Sequence, residues 1–217
     1  MKIQHLLLST VTALASSPVA NALDLTPHSS FRVLEEVKIP IVIFEDAPRK
    51  IQWQAPAQWT FNGGGEFLSL HPPASSTTGM ELRLIPRKAA QVPDGGTARE
   101  AAESWVQTFL PSDASKVTFE REIPSPFMLA GKPSRELTFS YTSLAQHFTT
   151  SIALTDLDEK HSLAVIIYAL NADFSAIHAT GTQSMFRWMW LAASPATPAR
   201  GGARGTGTSS TDYRPGK

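Results

Sequence analysis

A two-residue hydrophobic alternation returns repeatedly between residues 39 and 170, and it constrains the fold more than any other feature. Ile39, Ile41 and Ile43 alternate in "KIPIVIFED", where Pro40 marks an edge position; Ile51 and Trp53 alternate in "IQWQ", and Trp59 and Phe61 in "WTF". Met80, Leu82 and Leu84 then alternate with Glu81 and Arg83. Val117, Phe119 and Ile123 alternate with Thr118, Glu120 and Glu122, and Leu137, Phe139 and Tyr141 with Glu136, Thr138 and Ser140. Phe148, Ile152 and Leu154 alternate with Thr149 and Ser151. Successive side chains of a strand point to opposite faces, so each segment predicts a strand with one face in a core. "SLAVIIYAL" is apolar on both faces, which predicts a central strand covered from both sides. "NGGGE" (62–66) predicts a hairpin turn into "FLSLH". Arg121 stands on the apolar side of its strand and reads either as a strand end or as half of a buried ion pair.

Two segments change to a helical period. In "TAREAAESWVQTFL", Thr97 and Glu100 have the spacing of a capping box. Ala98, Ala101, Ala102, Trp105, Val106 and Phe109 make one apolar stripe, while Arg99, Glu100, Glu103 and Gln107 face away and Pro111 ends the run. In "FSAIHATGTQSMFRWMWLAAS", Asn171 or Asp173 can act as the cap, and Phe174, Ile177, Gly181, Met185 and Trp188 recur at steps of three and four. Glycine costs about 1 kcal/mol against alanine in a helix. Its place in the stripe predicts close approach of the helix backbone to a sheet. Trp188 is expected to be buried. Phe186 and Trp190 form a flanking row, with Trp190 either under a neighbouring element or in a binding patch.

The ends read differently. Lys2, the short apolar run "LLLSTVTALA" and Ala20-Asn21-Ala22 read as a secretory signal over residues 1–22, cleaved near Ala22. The domain is then expected over 23–193, with 23–30 polar and loose. Residues 194–217 contain no Ile, Leu, Val or Phe and read as a disordered Gly/Pro/Arg-rich tail, with Arg200, Arg204, Arg214 and Lys217 against Asp212. The chain has no cysteine, which excludes disulfides, thiolate nucleophiles and zinc–cysteine sites. With 19 basic and 19 acidic residues it presents no overall field for nucleic acid. No segment of the mature chain has the ~20 apolar residues of a membrane span.

"QAPAQWTF" resembles the early P-x-x-W strand and turn of PsbP-like proteins, which share a fold with the Ran-binding protein Mog. "LAGKPSRELTFSY" is similar to the family's Gly- and Pro-containing entry into an L-x-F strand, and "SLAVIIYALNADFSAIHATGTQSMF" to its last strand, short turn and closing helix. The resemblance covers about residues 51–191. It implies an α+β fold, an α/β/α sandwich whose mainly antiparallel sheet is flanked by helices at about 97–110 and 172–192. It implies a binding role, since plant and cyanobacterial members assist photosystem II and Mog binds a GTPase. No catalytic set is shared across that superfamily, and none is carried over. The strand-like segment 31–46, the Arg/Gly tail and the lack of a partner-specific loop depart from the pattern, leaving photosystem and GTPase binding unsupported.

Motifs for chemistry are few. "DLDEKH" brings Asp156, Asp158, Glu159 and His161 together as candidate oxygen and nitrogen ligands for Ca²⁺ or Mn²⁺, or as a solvated hairpin, since the spacing is not that of an EF-hand. "NGGGE" lacks the lysine and spacing of a phosphate-binding loop, and no G-x-S-x-G or H-E-x-x-H occurs. His71 and His147 lie near strand ends and can converge, whereas His161 and His178 are scattered; Glu100 and Glu103 read as a soluble surface. No cofactor is indicated. The first reading is an exported, non-enzymatic binding or accessory protein whose partner is another protein of the envelope or extracellular space. Trp190, Phe127 and His71 are its candidate contact residues, with the loops "HPPASSTTG" and "PSPFMLAGK". The alternatives are a hydrolase-type enzyme whose site is assembled by folding, and an envelope-associated protein held by its basic tail.

Overall fold

The structure is a computed structural model that describes residues 23–46, 49–73, 75–91, 98–129 and 131–191. The signal-like segment 1–22, Thr97 of the expected capping box and the tail 194–217 lie outside the described residues. In chain order the elements are β1 (Asp24–Leu34), β2 (Val37–Asp46), β3 (Arg49–Trp53), β4 (Thr60–Gly64), β5 (Phe67–His71), β6 (Gly79–Pro86), α1 (Ala98–Val106), β7 (Ser115–Pro124), β8 (Arg135–Ser143), β9 (Gln146–Asp156), β10 (His161–Leu170), α2 (Phe174–Met185) and β11 (Met189–Leu191). They form two antiparallel sheets, one of order β1-β2-β3-β11 and one of order β4-β5-β6-β10-β9-β8-β7.

This corrects the expected α/β/α sandwich. The antiparallel strands are present, but the layer on one side of the seven-stranded sheet is in large part a second sheet. Residues 23–30 are not loose. Leu23 and Leu25 are buried, and the Leu25 amide donates to the Gly65 carbonyl at 2.7 Å, tying β1 to the β4–β5 turn. The expected closing helix ends at Met185 instead of running to 192. Met189, Trp190 and Leu191 pair with Gln52, Ile51 and Lys50. The stripe reaches Trp188 through a tight turn instead of further α-helix: the Arg187 and Trp188 amides donate to the Ser184 and Met185 carbonyls at 3.0 and 3.2 Å, the indole is buried, and pairing with β3 begins at Met189.

β10 is the spine of the fold. It sits between β6 and β9, and its two apolar faces feed two cores. Leu163, Val165 and Ile167 face the space between the sheets, with Val42, Phe44, Ile51, Trp53, Met185 and Trp188. Ala164 and Ile166 face the other way, against Trp105, Val106 and Phe109 and with Leu137, Phe139, Ile152 and Leu154. The helical stripe of α1 covers this second core, and the Trp105 indole donates to the Ala89 carbonyl at 2.7 Å. Gly181 of α2 does lie against the sheet, since a Cβ there would come within 2.8 Å of Ile167 Cδ1.

Gly79 opens β6 under a harder constraint. A Cβ at that position would lie 2.4 Å from the Leu70 carbonyl oxygen and 3.3 Å from the Tyr168 hydroxyl. A backbone oxygen inside a sheet cannot step aside as the tip of a side chain can. Gly79→Ala is therefore expected to destabilise the protein by about 2–3 kcal/mol, despite alanine's lower entropy in the unfolded chain. A urea midpoint equal to that of the parent protein would show that β5 and β6 yield more easily than this packing implies.

Arg121 resolves into neither expected alternative. Phe119 pairs with Phe139 and Arg121 with Thr138, a bulge that leaves Glu120 as the extra residue and turns Arg121 out to solvent. The Glu103 carboxylate accepts from the Phe119 amide at 2.9 Å and from Arg99 at 2.9 Å. Those two bonds, the amide foremost, hold its carboxyl below the usual range.

Candidate functional site

The exposed end of the α1-side face of the seven-stranded sheet carries a cavity of about 350 Å³. Register places its lining side by side. Tyr141 of β8 lies opposite Phe148 of β9, Thr150 of β9 opposite Tyr168 of β10, and Tyr168 and Ile166 opposite Gly79 and Glu81 of β6. Thr150 is a small residue in a row of large ones, between Tyr168 and Phe139, and the cavity lies over it. α1 stops at Val106, and the following Phe109, Leu110 and Pro111 form a wall over the cavity instead of filling it. Ser76 and Thr77, from the "HPPASSTTG" loop expected at the binding surface, form part of the rim.

The polar groups of this cavity divide into used and unused. Thr150 Oγ1 donates to the Ile167 carbonyl at 3.2 Å. Glu81 Oε2 accepts from Arg83 Nε at 2.9 Å and from its terminal nitrogen as well. Asp113 accepts the Ser143 hydroxyl and the Leu144 amide, each at 2.9 Å. The amide first and the hydroxyl second hold the Asp113 carboxyl below the ordinary carboxylate range. That carboxylate also clamps a strained turn, because Leu144 and Ala145 both have positive φ, 49° and 59°. The two tyrosine hydroxyls are the unused groups, with no hydrogen-bond partner among the described residues. Burial raises both phenol pKa values, and the negative charge of Glu81 raises them further. Both phenols are consequently neutral donors throughout the physiological range.

The residues singled out from the sequence are dispersed. His71 Nδ1 lies 3.1 Å from the Thr78 carbonyl, to which it donates, and the His71 ring meets Tyr168 edge-on at 6.5 Å, beside the cavity. His147 contacts the Thr142 hydroxyl, so neither histidine is joined to a carboxylate. Phe127, expected in an exposed loop, is buried in the inter-sheet core, and its neighbour Met128 is the exposed residue there. Trp190 is half-buried on β11, with the Arg49 guanidinium 4.3 Å above its ring.

"DLDEKH" is the β9–β10 hairpin. One Asp158 oxygen accepts the Lys160 and His161 amides, both at 2.7 Å, and the other contacts His161 Nδ1 at 3.2 Å. Asp156 accepts the Ser162 hydroxyl and pairs with Arg87, while Glu159 is exposed. Among the described residues no three His, Asp or Glu side chains converge on a common point.

A second surface was not anticipated. Phe31, Val33, Leu34 and Val37, at the far end of the β1–β2 hairpin, are 56%, 58%, 54% and 62% exposed. β1 is an edge strand, and the hairpin closes through Glu35 and Glu36, both at positive φ. No helix among the described residues is long and apolar enough to cross a membrane.

No protein-family model matches the chain, so the PsbP-like resemblance rests on the sequence motifs that carry it. No curated protein matches it. Among solved structures, the chain is similar to PA94 from Pseudomonas aeruginosa, a protein of unknown function, at 15% identity over 77% of this chain and 99% of that one, with a TM-score of 0.37. It is also similar to LpqN of Mycobacterium tuberculosis, which is involved in cell envelope biogenesis, at 13% identity over 66% and 84% of the two chains, with a TM-score of 0.36. At these scores neither likeness carries an argument about this chain.

Proposed function

We propose that this protein is an exported accessory protein that acts by binding, and that the cavity floored by Thr150 is where a small molecule binds. The observation that carries the reading is the pair of unpaired phenol donors, on buried Tyr141 and half-buried Tyr168, beside a floor of Thr150 and Ile166. Apolar walls with a few convergent polar groups are the usual make-up of a ligand site. The histidines that contact carboxylates, His161 with Asp158 and His178 with Glu136, belong to other parts of the fold. Export rests on the signal-like segment, and the binding role is also what the PsbP-like motifs imply.

A ligand-observed NMR screen of a mixed set of small organic molecules tests this on the mature chain. Hits are expected to vanish with Thr150→Met, which fills the floor, and with Ser76→Trp, which blocks the rim without entering the core. Hits that persist in both folded variants, or an empty screen, would sink the cavity reading.

The exposed hairpin supports a second surface, for a partner protein of the envelope or extracellular space that adds an apolar strand to the open edge of β1. Because the chain lacks cysteine, a single Val33→Cys variant can carry a crosslinker. Capture of the same partner by Gln183→Cys, on the exposed side of α2, would count against the hairpin.

A further inference from the structure

The charges around the cavity do not cancel. Its lining holds two carboxylates, Glu81 and Asp113, and one cation, Arg83. Arg83 gives two hydrogen bonds to a single Glu81 oxygen, and its guanidinium lies 5.4 Å from the Phe67 ring and 5.9 Å from the Phe109 ring. Its charge is matched where it stands. Asp113 stands at the solvent-exposed rim, held only by a hydroxyl and an amide, both neutral, so its negative charge has no counter-ion among the lining residues. The field is felt inside, since Glu81 helps to push up both phenols and Asp113 that of Tyr141.

Aromatic rings complete the lining. Phe109, Tyr141, Phe148 and Tyr168 all border the space, with Tyr141 and Phe148 stacked at 5.4 Å and an interplanar angle of 15°. Ring faces carry the negative side of the aromatic quadrupole and attract cations, most strongly where water is excluded. An anion could accept from the two phenols but would meet the Asp113 and Glu81 carboxylates. A neutral molecule would gain the apolar contact and nothing from the charge.

We propose that the cavity binds a small organic cation, an alkyl- or arylammonium, with its charged head among Tyr141, Phe148 and Tyr168 on the side of Asp113 and its apolar body against Leu110 and Ile166. The proposal rests on the reading of the cavity as a ligand site and adds the charge of the ligand.

Three probes of one shape test it by calorimetry on the mature chain: choline, its uncharged carbon isostere 3,3-dimethylbutan-1-ol, and the anion 3,3-dimethylbutanoate. Choline is expected to bind about tenfold more tightly than the alcohol, and the anion not to bind. Asp113→Asn, which keeps an acceptor for Ser143 and Leu144, is expected to bring the affinity for choline down to within about threefold of that for the alcohol measured on the same variant. Tyr168→Leu is expected to weaken choline without disturbing the Asp113 turn. Equal or tighter binding of the alcohol overturns the cation proposal and leaves the cavity as a ligand site. If none of the three binds while the screen returns neutral or anionic hits that Thr150→Met removes, the cation proposal alone fails. If the screen is empty too, both fail.

Discussion

Trp53→Ala is expected to lower the unfolding free energy by about 3–5 kcal/mol, the usual range for deleting a buried aromatic side chain. Trp53 is fully buried and stands where three parts of the fold meet. Its ring lies 6.0 Å from Phe44 of β2, 5.8 Å from Trp188 and 6.5 Å from Phe61 of β4. Its Nε1–H donates at 3.0 Å to the carbonyl of Ser184, in the last turn of α2. That turn leads directly into β11, which pairs with β3, the strand that carries Trp53. Losing the ring therefore opens a cavity between the sheets and frees the segment that joins α2 to the smaller sheet.

Two further variants separate these effects. Trp53→Phe keeps most of the apolar contact but leaves the buried Ser184 carbonyl without its donor, a cost of about 1–3 kcal/mol. Phe31→Ser, at the exposed hairpin, is expected to stay within about 0.5 kcal/mol of the parent protein. Urea unfolding of the three proteins, followed by far-ultraviolet circular dichroism, gives the comparison. If Trp53→Ala cost no more than Trp53→Phe, the inter-sheet packing would not be the mainstay described above.

The strands were legible because each needs only a local period of two. Leu163, Val165 and Ile167 against Ala164 and Ile166 announce a two-sided strand, and that is where β10 lies. Gly181 was legible for a similar reason, since its place in the stripe is a property of the helix alone. The smaller sheet was not. It joins residues near 24, 42, 51 and 190, and nothing local to "MWL" favours pairing with "KIQ" over a further turn of helix.

Two other hairpin turns carried no signal in the sequence. The β1–β2 and β8–β9 hairpins close through Glu35-Glu36 and Leu144-Ala145, all four with positive φ. Hairpin rules look for Gly or Asn there, because side chains crowd the left-handed region. The cavity escaped notice on grounds of register. Thr150 and Glu81 both line it, but they are 69 residues apart in sequence, and only the pairing of β6, β10 and β9 brings them to one face. Phe127 was misassigned because "PSPFMLAGK" is loop-like in composition, and composition does not tell which member of a Phe-Met pair turns inward. The one signal available beforehand was the small residue within an otherwise bulky alternation, Thr150 between Phe148 and Ile152.

His178→Ala is the second substitution with a large expected effect, and it separates a contact that is costly to break from one that stabilises. Glu136 lies beneath α2 with its side chain 2% exposed, and His178 Nε2 donates to its Oε1 at 2.8 Å. Phe174 covers the imidazole with ring centroids 5.3 Å apart. The nearby Thr138 and Thr182 hydroxyls make no hydrogen bonds among the described residues, so this layer is sparing in partners. Removing the imidazole, whose side chain is 21% exposed, leaves the buried carboxylate without this donor, and an unsatisfied buried acceptor of that kind costs about 3 kcal/mol. Removing both partners is a different experiment. Glu136→Met with His178→Phe keeps volume and the contact with Phe174 but leaves no charge to desolvate, and such replacements are often neutral or stabilising by about 1–4 kcal/mol. The expected ordering is thus non-additive in sign, with the single variant well below the parent protein and the double variant level with it or above. A His178→Ala protein within about 1 kcal/mol of the parent would mean that water reaches the carboxylate under α2, and the tight seating of that helix on the sheet would have to be abandoned.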